Sequence, residues 1–239
     1  MNLVLIALAP VLILLFYVYL RDKYDREPLG LLLRGLLLGV LITIPILLLE
    51  TFLAAKNPFL GSAGTAWTAF VVAGFSEELF KFLALLFAFW KVKAFNERFD
   101  GIVYAVAVSL GFAGAENIMY VLDGGAEVGL LRAFTAVPAH ATFGVIMGYY
   151  FGRAKMETEQ RPVFLWLALC MPLFLHGMYD FLVMMQHVVL TILFFPFLFL
   201  IYRNGLRKMK YLSDHSVLRP GFGSKDKTMN EDELIQHRD

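Results

Sequence analysis

Eight polar or ionisable residues, Glu77, Glu78, Lys81, Glu116, Asn117, His140, His176 and Asp180, lie inside stretches that are otherwise apolar enough to cross a lipid bilayer. An ionised side chain at the bilayer centre costs about 2.5–3.5 kcal/mol on insertion scales, so chains that keep several turn them into a shared interior cavity. The types present suit hydrolysis: carboxylates that take a proton from water, imidazoles that deliver one or bind a metal, and a lysine that offsets carboxylate charge. Glu77 and Lys81 are four apart and Glu78 and Lys81 three apart, so Lys81 can neutralise a carboxylate on its own helix face. Adjacent helix positions diverge by about 100°; one glutamate is therefore expected to pair with Lys81 while the other faces the cavity. His176 and Asp180, also four apart, have the separation at which a carboxylate orients an imidazole or both groups hold one ligand.

The elements that must position these groups follow from composition. The 239 residues are 59% hydrophobic and only 17% charged, with a mean hydropathy of +0.67. Repeated apolar runs of membrane-crossing length predict an all-α, polytopic helical bundle. Seven spans can be drawn, at 3–20, 30–55, 66–90, 101–122, 129–152, 163–185 and 188–202. They define a transmembrane unit over 1–202 and a polar, solvated tail over 203–239. The first run lacks a basic leader and a small-residue cleavage site, which favours a retained helix over a signal peptide. A net charge of +1 without a basic aromatic patch gives no reason to expect a nucleic-acid partner. The single cysteine, Cys170, excludes an internal disulfide and reads as a small buried hydrophobe. Glu50 reads as interfacial, and His187 and His215, in a connection and the tail, suggest no chemistry.

Seventeen of the 21 basic residues fall after the first, third and fifth spans or in the tail. The positive-inside rule then puts the N-terminus outside and the C-terminus in the cytoplasm. At a rise of about 1.5 Å per residue, Glu77 and Glu78 lie about 18–20 Å below the outer end of their span. By the same measure, Glu116 is about 9 Å deep, His140 about 16 Å, His176 about 14 Å and Asp180 about 8 Å. The groups therefore share the outer half of the bilayer. Gly144, Gly148 and Gly152 form a small-residue packing face, and Gly111 and Gly114 allow close approach beside Glu116. Pro138 and Pro172, upstream of the histidines, are expected to free backbone carbonyls near the cavity.

Read as motifs, Glu77–Lys81 is EExxK, Phe112–Glu116 is FxxxE running on into Asn117, His140–Gly144 is HxxxG, and His176–Asp180 is HxxxD. In this order on successive helices they resemble the PrsW family of intramembrane proteases, relatives of the type II CAAX prenyl proteases. The stretch from Asp22 to Pro28, DKYDREP, resembles an acidic-basic segment found early in that family. The resemblance spans roughly 17–185. It implies site-one cleavage of a membrane-anchored, single-pass protein, typically an anti-sigma factor, near the outer face of a bacterial cell membrane. The catalytic set it implies is Glu77, Glu78, Lys81, Glu116, His140, His176 and Asp180.

Two chemistries remain open at this level. In one, Glu77 or Glu78 is the general base on water, the other glutamate pairs with Lys81, Glu116 and His140 position the water, and His176, steadied by Asp180, serves the oxyanion or the leaving amine. In the other, His140, His176 and Glu116 form a three-ligand open metal site of the zinc type, although no HExxH motif is present. Two rival classes are a transporter or proton conductor, and a non-catalytic binder of transmembrane segments. The absence of an inverted repeat and of polar groups continuing to the cytoplasmic side weighs against transport.

Overall fold

The computed structural model describes residues 2–216, 218 and 219. Among these the chain is all-helical: α1 (Leu3–Arg21), α2 (Leu29–Ala55), α3 (Gly61–Trp67), a π-helix, π1 (Thr68–Phe75), α4 (Ser76–Phe89), α5 (Arg98–Phe134), α6 (Ala136–Met156), α7 (Arg161–Met184) and α8 (Val188–Asp214). Five helical stretches are long and apolar enough to cross a membrane, with α5 and α6 counted as one. The chain is therefore a multi-pass membrane protein.

α5 is the axis of the bundle and packs against α1, α2, α4, α6 and α8. Its first half, from Phe99 to Gly114, is buried on every side, as expected of a helix that is apolar all round. The outer helices do the reverse: Leu12, Ile13 and Phe16 on α1, Leu48 on α2 and Phe195 on α8 point outward. Such a continuous apolar exterior is the surface that lipid covers. Ends are fixed locally. Asn2 accepts from the Val4 amide to start α1, and Glu97 with Asp100 forms a capping box at the head of α5.

The α5–α6 contact depends on missing side chains. A Cβ on Gly148 would sit 2.3 Å from the Gly101 carbonyl oxygen, so the two backbones meet only because neither residue has one. Gly39 and Gly111 make α2 and α5 meet in the same way. The small-residue face expected on α6 is thus the surface that sets His140 beside α5.

Several boundaries differ from the sequence expectation. The third span is one helical run over 61–89, interrupted by the eight-residue π1 immediately before Glu77. α5 continues past the expected end at 122, and its backbone breaks only at Gly125, where φ is +76°. Residues 126–134 form a short helical arm that takes in the expected start of the fifth span, 129–134; the turn at Thr135 separates it from α6. Pro138 is consequently in the first turn of α6, where its missing amide breaks no hydrogen bond, rather than at a mid-span kink. The expected boundary at 202/203 falls inside α8, which runs on to Asp214 and buries Gly205, Met209 and Leu212; most of the remaining tail lies outside the described residues. Cys170 is exposed, not buried: it faces outward on α7.

Replacing Gly148 with leucine should force α5 and α6 apart and lower stability by at least the 1–3 kcal/mol typical of an overpacked core. Thermal unfolding in detergent checks this, with unchanged melting as the contrary result.

Candidate active site

Four helices deliver the buried polar groups to one place. Glu77, Glu78 and Lys81 come from the first two turns of α4, Glu116 from α5, His140 from α6, and His176 with Asp180 from α7. π1 helps bring α7 in. A Cβ on Gly177 would lie 2.2 Å from the Phe70 ring, so the turn after His176 closes on π1 only because position 177 is glycine. The wider π turn directly upstream sets the direction of the two glutamates, a common place for such an irregularity.

At the centre, Lys81 Nζ donates to Glu77 Oε2 at 3.0 Å and to Glu78 Oε1 at 2.8 Å. It also lies 3.2 Å from His140 Nδ1. The expectation that Lys81 would take one glutamate and leave the other is therefore corrected: the ammonium holds both. The two carboxylates still differ, because Glu77 lines the adjoining cavity and Glu78, fully buried, does not. Glu78 Oε1 is 2.9 Å from His176 Nδ1, while its Oε2 has no partner.

The imidazoles are mounted alike. Each turns Nδ1 toward the glutamates and presents Nε2 to a second carboxylate: His140 to Glu116 Oε2 at 3.1 Å, and His176 to Asp180 Oδ2 at 3.3 Å. With Lys81 donating to its Nδ1, the His140 ring carries its proton on Nε2 and donates to Glu116. The two rings meet edge to face with centroids 5.1 Å apart, and Phe143 stacks on His176 at 5.0 Å.

Glu116 does not join the inner group. Arg132, on the arm beyond Gly125, reaches back to it at 2.7 Å and to Asn117 Oδ1 at 2.9 Å. Asn117 in turn donates to the Ala7 carbonyl, tying the arm to α1. Sequence reasoning missed Arg132. The available signals were the Gly124–Gly125 pair and a lone arginine within an apolar run. It also misread Glu50, which lines the same cavity of about 260 Å³ with Glu77, Glu116, His140, His176 and Asp180.

One donor atom from each of Glu77, Glu78, His140 and His176 lies within 4.8 Å of the others, a set able to surround a cation. The metal trio expected from sequence shares its two histidines with this set, but the carboxylates beside them are the α4 pair rather than Glu116. The donor chemistry fits a divalent ion of the zinc class: two imidazole nitrogens, carboxylate oxygens, one of them an orphan, and a carboxylate behind each imidazole. Three of the four donors already converge on a positive charge, the Lys81 ammonium, so an ion and that ammonium compete for one position.

Buried acids facing two oriented imidazoles beside a cavity of about 260 Å³ have the chemistry of a membrane-embedded hydrolase. The comparisons agree. Residues 27–202 match the model of the PrsW family intramembrane metalloproteases. Among proteins called Protease PrsW, that of Geobacillus kaustophilus is 43% identical over 183 residues, covering 77% of this chain and 80% of the relative. Those of Bacillus subtilis and Halalkalibacterium halodurans are 40% and 39% identical, each covering 85% of this chain and 92% and 94% of the relatives. No solved structure matched. The chain belongs to the PrsW family and is an intramembrane peptidase.

Lys81→Met leaves two adjacent carboxylates without their counter-charge, and breaking a buried ion pair from one side costs about 3–5 kcal/mol. Thermal unfolding should show that loss, and adding Glu77→Gln and Glu78→Gln should recover most of it. A triple variant no more stable than Lys81→Met would contradict this account of the pairing.

Proposed function

We propose that the chain hydrolyses a peptide bond of a membrane-anchored, single-pass protein, of the anti-sigma-factor kind, at a site in the outer half of the bilayer. Seven crossings, with the N-terminus outside and the C-terminus in the cytoplasm, support that depth. Length and composition mark five spanning stretches; counting the 61–89 run, and α5 and α6 separately, supports the reading of seven.

The observation that carries the reading is the division of labour within the glutamate pair. Of the two, Glu77 faces the cavity and Glu78 does not, so Glu77 is the general base that takes a proton from a water bound there. Glu78, His140 and His176 are the groups that would hold a zinc ion, a three-ligand set that leaves a position open. When bound, such an ion supplies Lewis-acid polarisation of the scissile carbonyl. Glu116 and Asp180 are positioning residues that hold the rings by Nε2, and Arg132 steadies Glu116. Lys81 balances the glutamates when no ion is present and withdraws from the donors when one is.

Charge favours this version over glutamate chemistry alone. Five carboxylates, Glu50, Glu77, Glu78, Glu116 and Asp180, line or adjoin the site against two permanent cations, Lys81 and Arg132. The carboxylates outnumber those cations by three, and a divalent ion offsets two of the charges left over. A transporter or passive binder requires no such division between a cavity-facing and an enclosed glutamate.

In a reconstituted assay with a single-pass substrate, Glu77→Gln should abolish cleavage while metal content, read by elemental analysis, is retained. His140→Ala combined with His176→Ala should lose both. Metal-free wild-type protein that cleaves at full rate would refute the metal assignment, and an active Glu77→Gln protein the base. Glu116→Gln and Asp180→Asn should each cost about 10–100-fold in metal affinity or rate, as loss of a carboxylate behind a liganding imidazole does.

A further inference from the structure

A second group of buried acids lies at the other end of the bundle, away from the candidate active site. Sixteen residues of α5 separate Asp100 from Glu116, about 24 Å along the helix. Asp22 ends α1, Glu27 lies in the connection to α2, and Glu97 and Asp100 open α5. All four are buried. One oxygen each from Asp22, Glu97 and Asp100 lies within 4.8 Å of the others. Asp22 and Glu27 belong to the DKYDREP stretch, which the hydrolytic site leaves unused.

Local hydrogen bonding accounts for only part of this cluster. Asp100 Oδ2 accepts from the Asn96 and Glu97 amides, both at 2.8 Å, as the helix cap requires. Asp22 Oδ2 accepts from the Glu27 amide at 3.2 Å, Glu27 accepts from the Tyr104 hydroxyl, and Glu97 accepts from Ser216 just after α8. The second oxygens, Asp22 Oδ1 and Asp100 Oδ1, are buried without a hydrogen-bond donor, and the Asp100 carboxyl adjoins the Glu27 carboxyl, itself an acceptor. Among the described residues none of the four forms an ion pair. Arg21 is turned to the Tyr17 hydroxyl, Arg26 to the Tyr19 ring and Arg98 to Glu157. Orphaned buried oxygens are rare, and each calls for a missing partner.

We propose that Asp22, Glu97 and Asp100, backed by Glu27, form a second cation site, for calcium, that ties the α1–α2 connection to the head of α5 and the end of α8. The ligands are all hard oxygens, unlike the mixed nitrogen and oxygen set of the hydrolytic site. The number of carboxylates selects between the two common hard cations: magnesium keeps several waters and takes one or two carboxylates, whereas calcium accepts a flexible shell built from several.

The competing occupant is a shared proton. Burial pushes Asp22 from 3.8 up to about 7 and Glu27 from 4.5 up to about 7. Burial pushes Asp100 further, up to about 9; a carboxyl raised on folding binds its proton more tightly in the folded state, so an ion-free cluster loses stability as pH rises from about 4 to 9. The other groups facing it are Asp25, Glu97, Asp100, Tyr104 and Ser216. Protons alone would leave the protein indifferent to calcium.

The test uses the full chain in detergent with Glu77→Gln, Glu78→Gln and Lys81→Met, which disable the other cation set without leaving a buried unpaired charge. At pH 8, calcium at a hundred times its dissociation constant should raise the melting temperature by about 5 °C or more, and Asp22→Asn or Asp100→Asn should remove the shift. Should those variants not fold, terbium bound to the parent chain should luminesce through excitation of Tyr104, be displaced by calcium, and lose its emission in Tyr104→Phe. No calcium effect on melting or terbium emission overturns the proposal, as does a calcium shift that survives Asp22→Asn. Stabilisation by acid alone, with calcium inert, overturns it in favour of shared protons.

Discussion

Two adjacent carboxylates on one helix turn, clamped by a lysine from the next turn and enclosed where water hardly reaches, are the constraint on which the rest of the bundle depends. Glu78 is fully enclosed, Lys81 is 1% exposed and Glu77 4%. Such a cluster persists only if every neighbouring element supplies a polar partner, because an unpaired charge in that setting costs several kcal/mol. Each surrounding helix does so. α6 contributes an imidazole on the lysine, α7 an imidazole on Glu78, and α5 a glutamate on the first imidazole. The packing devices serve the same end: bare backbone at Gly148 brings in α6, and at Gly177 brings in α7.

Much of this was legible in the sequence because a charge in an apolar run is conspicuous and helical spacing assigns its face. Glu77, Glu78, Glu116, His140, His176 and Asp180 meet, as their shared depth implied. What composition could not show was the connectivity at the end of α5. Residues 123–128 read as a short loop and 129 as the start of a new span, yet Gly125 turns a helical arm back so that Arg132 caps Glu116. That pairing removes Glu116 from the inner donor set and leaves the α4 pair beside the histidines. π1 was equally invisible, since an apolar run gives no sign of a change in helical period. Cys170 was misplaced because, in a membrane protein, an apolar residue is as much at home facing lipid as facing the core.

The two acidic clusters solve the same electrostatic problem differently. Near the cavity, nitrogen bases and two permanent cations surround the carboxylates. At the far end, backbone amides, hydroxyls and two orphan oxygens do. One arrangement borders a polar-lined cavity; the other joins three chain segments distant in sequence. The proposed catalytic and structural roles thus fall at the middle and the head of α5, about 24 Å apart along the helix.

X-ray absorption at the zinc edge of the purified, zinc-loaded chain tests the convergence of α4, α6 and α7 most directly. The geometry predicts two imidazole nitrogens and carboxylate oxygen at about 2.0–2.2 Å, with one imidazole lost in His140→Ala and one in His176→Ala. A zinc shell without imidazole, or one unchanged by either substitution, would contradict it.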